Sequence, residues 1–123
     1  MVGTSALFDT NILIDYLSGI EAARVEMDRY QSRAISIITW MEVMAGVKSE
    51  HEAETRVFLA SFTILPITMA TAERAIVMRR QPRMKLPNAM ILASAELSDH
   101  LLITRNTRDF STENPHVRIP YQL

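Results

Sequence analysis

The hydrophobic period of this chain switches repeatedly, from short β-type runs to helical spacing and back, and that switching constrains its fold more than any single residue does. Strands separated by helices must mostly run parallel, with helices on both faces of the sheet and ligand sites at the carboxyl ends of the strands. The expected class is therefore α/β: a mainly parallel central sheet of four to five short strands, flanked by helices, in a single domain over 1–123. The chain has 123 residues and 48% apolar content, long enough to bury a core without a covalent staple. It has no cysteine, which excludes a disulfide framework, thiolate catalysis and a cysteine zinc site. No run approaches the roughly 18 apolar residues of a membrane span, and the start lacks a signal-peptide pattern, so the cytoplasm is the expected compartment.

The spacing predicts strands over 5–9, 34–37, 63–67 and 101–104, with a final edge strand over 117–119. Helices are expected after the first strand, over 21–32, over 39–47, around Thr55, Phe58, Leu59 and Phe62, from Thr68 to about Gln81, and from Pro87 to Leu97. Pro87 suits a first helical turn, and Pro82 stops the helix before it.

Polar residues recur at the strand ends that this architecture favours for ligands. Asp9 follows the apolar Ala6-Leu7-Phe8, and with Thr10 and Asn11 it supplies three capping types where a helix needs only one. Glu42 is the one ionisable residue between Ala34 and Val47. A carboxylate in such an apolar segment requires a cation, a hydrogen-bond network or an escape to solvent. Asn88 lies at a helix start on the face of Ile91, Leu92 and Ala95, where an amide can also serve simply as a cap. After the strand 101–104 comes Arg105-Asn106-Thr107-Arg108-Asp109, which by itself reads as a turn in which Asp109 pairs with an arginine.

Oxygen ligands converging on one sheet edge suit Mg²⁺ or Mn²⁺, and such ions support phosphodiester hydrolysis. Nothing else in the chain competes as a catalytic system. The three histidines lie in polar segments without an evident serine partner, and the three glycines form no phosphate loop. Thirteen basic and fourteen acidic residues leave a net charge of −1, so contact with nucleic acid has to come from a local patch. Arg79, Arg80, Arg83 and Lys85 form such a patch, with no acid among them; by charge alone, a solvated helix end is the favoured account of it.

Four blocks in order and spacing carry a family resemblance over essentially the whole chain. They are Leu7-Phe8-Asp9-Thr10-Asn11-Ile12-Leu13, Ile38-Thr39-Trp40-Met41-Glu42-Val43, Lys85-Leu86-Pro87-Asn88-Ala89-Met90-Ile91 and Ile103-Thr104-Arg105-Asn106-Thr107-Arg108-Asp109-Phe110. Together they resemble PIN-domain ribonucleases of the VapC toxin type. The resemblance implies an Mg²⁺- or Mn²⁺-dependent endoribonuclease that cuts RNA of the translation machinery (tRNA or rRNA), is restrained by a VapB-type antitoxin and forms a homodimer. It implies Asp9, Glu42 and Asn88 as metal-site positions, with Asn106 or Asp109 at the fourth position and Thr10, Asn11 and Thr104 in support. The basic patch Arg79, Arg80, Arg83 and Lys85 would then meet RNA phosphates.

One departure from the family pattern stands out. The third acid falls at Asn88, where the shape is kept and the charge is missing. A charge about 4 Å from a cation is worth on the order of 4 kcal/mol at an effective dielectric of 20, so impaired activity is the expectation. The amide is either that of a degenerate natural member or an isosteric replacement, and the otherwise intact motif set favours the latter. A PIN-like module that binds RNA or antitoxin without catalysis is the alternative. A phosphoacceptor domain is disfavoured by the lack of a mid-sheet aspartate acceptor.

Overall fold

The computed structural model describes residues 5–80 and 84–123. The described elements run β1 (Ser5–Phe8), α1 (Thr10–Leu17), α2 (Glu21–Asp28), β2 (Ser32–Ser36), α3 (Ile37–Gly46), a short 3₁₀ turn, α4 (Glu52–Ala60), β3 (Thr63–Leu65), α5 (Met69–Arg79), α6 (Leu86–Leu97), β4 (Leu101–Ile103) and β5 (Val117–Arg118). The five strands form one sheet in the order β3-β2-β1-β4-β5. Every pairing is parallel, with Leu7 beside both Ala34 and Leu102, and Phe8 beside Ile103.

Side-chain alternation divides the apolar residues between two faces. Ala6, Phe8, Ile35 and Ile103 enter one cluster with Ile12 and Leu13 of α1, Met27 of α2 and Leu59 of α4. Leu7, Ala34 and Leu102 enter the other with Ala75 and Met78 of α5 and Ile91 and Leu92 of α6. Strands buried on both faces read as continuous apolar runs, which is why such short segments of this sequence suffice to specify them.

Several boundaries differ from those the spacing predicts. The second helix stops at Asp28 rather than Ser32, and Ser32 and Arg33 open β2, where Ser32 pairs with Ser5. Ile37 begins α3, because Ser36 accepts a hydrogen bond from the Ile38 N–H at 3.1 Å and caps the helix directly at the strand end. Phe62 lies beyond α4 but keeps the core position its spacing suggests, edge-on to Phe8 and Phe58. β3 ends at Leu65, and β5 at Arg118. α5 ends at Arg79; Gln81 and Pro82, expected at its close, lie outside the described residues. Gly19, at φ 83, supplies the left-handed turn between α1 and α2.

Two buried carboxylates bind the helical layer to the C-terminal half of the chain. Glu26 of α2 accepts hydrogen bonds from Arg118 of β5 at 2.7 and 3.1 Å and from the Tyr30 hydroxyl at 2.7 Å. Asp15 of α1 accepts bonds from Arg105 at 2.6 and 2.9 Å and from the Tyr121 hydroxyl at 2.7 Å. Burial works to raise both carboxyls, yet the hydrogen bonds and charge of their arginine partners, with the tyrosine hydroxyls, outweigh it and hold both below their ordinary values of 4.5 and 3.8. A carboxylate whose folded pKa is depressed adds stability above its ordinary pKa, and that contribution is lost as the pH falls through the folded value. The melting temperature is therefore expected to drop as the pH is lowered below about 4.5. Glu26→Gln should flatten that acid limb in a thermal-melt series, whereas an unchanged limb would show that the Glu26–Arg118 pair contributes nothing to it.

Candidate active site

In a parallel sheet the crevice for ligands opens where the connections diverge to either side of a strand. Here that strand is β1: the chain leaves it toward β2 on one side and returns at β4 on the other. Asp9 directly follows β1 and Thr104 directly follows β4, so the two meet across the crevice. Thr104 donates its hydroxyl to Asp9 Oδ2 at 2.7 Å, and the Asp9 N–H donates to the Ile103 carbonyl at 2.9 Å.

Asp9 is the N-cap of α1, but its geometry departs from simple capping. Oδ1 accepts the Thr10 N–H at 2.8 Å, whereas Oδ2 is turned to Thr104 and to the Asn11 amide at 3.2 Å. The residue is 5% exposed. Burial pushes its carboxyl above the usual value, the bonds from Thr104, Thr10 and Asn11 act against that, and the nearby negative charge of Glu42 adds to the rise. Among the described residues Asp9 is thus a buried carboxyl without a cationic partner, the reverse of Asp15 and Glu26. Its local stability contribution also has the reverse sign, since the cost of ionising it is relieved as the pH falls through its raised pKa.

Glu42 reaches the same edge from α3. Its side chain is exposed, so the carboxylate does escape to solvent, and the Thr10 hydroxyl donates to Oε1 at 2.6 Å. The same Thr10 oxygen lies 3.2 Å from the hydroxyl of Thr39, which is fully buried one helical turn before Glu42. Sequence reasoning passed over Thr39; a hydroxyl at i−3 to a carboxylate within an apolar helix is the signal that marks it.

Asn88 sits in the first turn of α6, with Pro87 ahead of it, and is half-buried. Its amide donates to Asp109 Oδ2 at 2.9 Å. The Asn106 amide donates to the same oxygen at 2.9 Å, and the Asp109 N–H returns a bond to Asn106 Oδ1 at 3.2 Å. Among the described residues Asp109 therefore pairs with two amides and not with an arginine, and the neighbouring Arg105 is taken up by Asp15. Asn106 is anchored in turn by its N–H, which donates to the Thr104 hydroxyl at 3.0 Å.

The structure thus groups Asp9, Thr10, Asn11, Glu42 and Thr104 in one hydrogen-bonded set, and Asn88, Asn106 and Asp109 in a second, with the Asn106–Thr104 bond joining the two. Among the described residues no three acids or histidines are placed to hold a metal ion together. The donor set at this edge is two carboxylates, Asp9 and Glu42, with amide and further carboxylate oxygens beside them. Oxygen donors of this kind suit a hard divalent cation, and the buried, uncompensated charge of Asp9 is of the sign a cation would neutralise. Of the basic patch, Arg79 ends α5, Arg80 caps it and Lys85 precedes the first turn of α6, all three exposed; Arg83 lies outside the described residues.

This fold and this edge of polar side chains correspond to a family profile described as the PIN domain, which matches residues 6–112, and the chain belongs to the PIN-domain family. Within that family it is 33% identical over 112 residues to Ribonuclease VapC10 of Mycobacterium tuberculosis, an alignment covering 85% of this chain and 84% of that protein. It superposes with a TM-score of 0.91 and 49% identity on a chain of a toxin-antitoxin complex from Klebsiella pneumoniae, covering 97% of this chain and all of that one. FitAcB from Neisseria gonorrhoeae shares the fold at a TM-score of 0.79 and 21% identity, over 96% of this chain and 99% of that one.

Proposed function

We infer that the chain is a VapC-type endoribonuclease toxin of a type II toxin–antitoxin system, acting in the cytoplasm on tRNA or rRNA, as a homodimer restrained by a VapB-type antitoxin. The observation that carries the reading is Asp9: a buried carboxylate without a cationic partner among the described residues, fixed at the carboxyl edge between β1 and β4 and within electrostatic reach of Glu42. Likeness to Ribonuclease VapC10 and to the Klebsiella complex supports the toxin assignment and the antitoxin partner. No helix among the described residues is long and apolar enough to cross a membrane.

Asp9, Glu42 and the Asn88 oxygen are the groups proposed to hold Mg²⁺ or Mn²⁺, with Asn106 or Asp109 completing the site. When bound, such an ion supplies a water of lowered pKa and offsets charge on the leaving oxygen of a phosphodiester. Thr104 and Asn11 fix the Asp9 carboxylate, and Thr10 does the same for Glu42. Asn88 donates to Asp109 where the family pattern has an acid, so one negative charge is missing from the site. Activity in this chain is accordingly impaired. The same observation favours a second reading, a PIN-like module that binds RNA or antitoxin without cutting.

Lys85 and Asn88 share the start of α6, so the Lys85 end of the basic patch lies beside the proposed site. Each phosphate that a basic side chain no longer neutralises lowers the salt slope of RNA binding by roughly 0.7–0.9. Replacing Arg79, Arg80 and Arg83 together with Gln should weaken RNA binding and flatten its dependence on salt in a fluorescence titration. An unchanged slope would remove the patch from the interface.

A further inference from the structure

Arg105 follows the strand-end Thr104 and precedes Asn106, where an arginine in a nuclease is naturally read as a phosphate contact. The geometry gives it a different task. Its guanidinium is engaged by Asp15 through two bonds, at 2.6 and 2.9 Å, and its backbone N–H donates to Asn11 Oδ1 at 3.1 Å. Asn11 and Asp15 lie one turn apart on α1, so Arg105 grips a single helical turn with backbone and side chain together. Tyr121 presses the other side of the grip: its hydroxyl donates to Asp15 Oδ2 at 2.7 Å, and its ring packs on the core cluster beneath α1.

The consequence reaches Asp9 through one rotatable group. A backbone N–H can only donate, so the bond from Arg105 fixes Oδ1 of Asn11 toward the loop and Nδ2 toward the site. There Nδ2 donates to Asp9 Oδ2 at 3.2 Å and approaches the Thr104 hydroxyl oxygen at 3.3 Å. If the grip loosened, the Asn11 amide could turn over and face Asp9 with an oxygen, replacing attraction by repulsion.

We propose that Tyr121, Asp15 and Arg105 form a positioning relay, in which the C-terminal segment sets the orientation of the Asn11 amide and thereby that of the Asp9 carboxylate toward a divalent cation. The proposal rests on the metal-dependent reading of the site, but its primary readout does not. Groups that orient a metal ligand from behind typically change metal affinity by 10- to 100-fold when removed.

The test compares Arg105→Lys, which keeps the charge and loses the two-bond fork, and Tyr121→Phe, which removes a single hydroxyl, with the unaltered chain. Two quantities are read: the side-chain amide signals of Asn11 by ¹⁵N NMR, and the midpoint of Mn²⁺-induced broadening around Asp9. Folding of each variant is checked by circular dichroism. Expected are displaced Asn11 amide signals in both variants and an Mn²⁺ midpoint moved to roughly 10-fold higher concentration. Should Arg105→Lys fail to fold, Tyr121→Phe decides the matter alone. Asn11 signals unchanged in a folded variant would overturn the relay. Absence of Mn²⁺ broadening in the unaltered chain would count against the metal-dependent reading, while the Asn11 signals would still decide the relay.

Discussion

Replacing Asn88 by Asp is expected to lower the melting temperature of the metal-free protein and to raise it on addition of Mn²⁺ by more than Mn²⁺ raises that of the unaltered chain. The cause is local. Asn88 Nδ2 donates to Asp109 Oδ2 across 2.9 Å, so an aspartate at 88 removes a donor and sets two carboxylates in contact. Carboxylates that close do not both ionise unless a proton or a cation intervenes. Asp109 Oδ2 keeps the bond from the Asn106 amide, so the loss is that of one hydrogen bond to a charged acceptor, about 1–3 kcal/mol and at the lower end here because both residues are only half-buried. The added charge favours a cation by up to about 4 kcal/mol, or nearly three orders of magnitude in affinity. Stabilisation by a ligand grows with its concentration relative to its dissociation constant, so the difference should widen as Mn²⁺ is raised. Asn88→Ala separates the two effects: it removes the donor without gaining charge, and should show no enhanced response to Mn²⁺. An Asn88→Asp protein indifferent to Mn²⁺ would mean that this position does not face a cation site.

The largest loss of stability is expected from Phe8→Ala. Phe8 is fully buried at the end of β1 and meets Tyr30 and Phe62 edge-on at 5.9 and 6.0 Å. It therefore joins the layer of α1, α2 and α4 to the strand that carries Asp9. Truncating a buried phenylalanine costs ~3–5 kcal/mol through forfeited transfer energy and the cavity left behind. Denaturant unfolding should show that loss as a lower midpoint with an unchanged slope. A loss below about 1 kcal/mol would indicate that the core under β1 collapses to fill the space.

The two effects correspond to the two kinds of information the sequence carries. Phe8 and its neighbours were legible because strands buried on both faces need continuous apolar runs, and the alternation within them assigns Ala6 and Phe8 to one core and Leu7 to the other. Asp9, Glu42 and Asn88 were legible because each interrupts an apolar segment beside a strand end, where burial makes a polar side chain costly unless it has a partner. Helix ends were less so: Ser32 fits the end of a helix by spacing, and only pairing with Ser5 of β1 draws it into β2. Asp15 and Tyr121 escaped notice because their partners are remote, Arg105 being 90 residues from Asp15 and Tyr121 106 residues from it, so that only the crossover from β1 to β4 brings them together. The same crossover explains why Asp109, expected beside an arginine, is met by two amides instead.

The depressed carboxyls of Asp15 and Glu26, both in the α1–α2 layer, and the raised carboxyl of Asp9 give the molecule a division of labour. Asp15 and Glu26 are charged and compensated, and they hold the C-terminal half of the chain to α1 and α2. Asp9 is held by neutral donors alone, which fix its orientation without satisfying its charge. This arrangement, with orientation supplied by the protein and charge left uncompensated, is what the proposed cation site requires.

The most direct measurement is RNA cleavage with added Mn²⁺ or Mg²⁺, made on this chain, on Asn88→Asp, and on the Asn88→Asp, Asp9→Ala double variant with cellular tRNA and rRNA as substrates. Weak or no cleavage by this chain, clear cleavage by Asn88→Asp, and its loss when Asp9 is also removed is the predicted pattern. Silence of all three, with RNA or antitoxin still bound, would contradict the nuclease assignment and leave a binding module in its place.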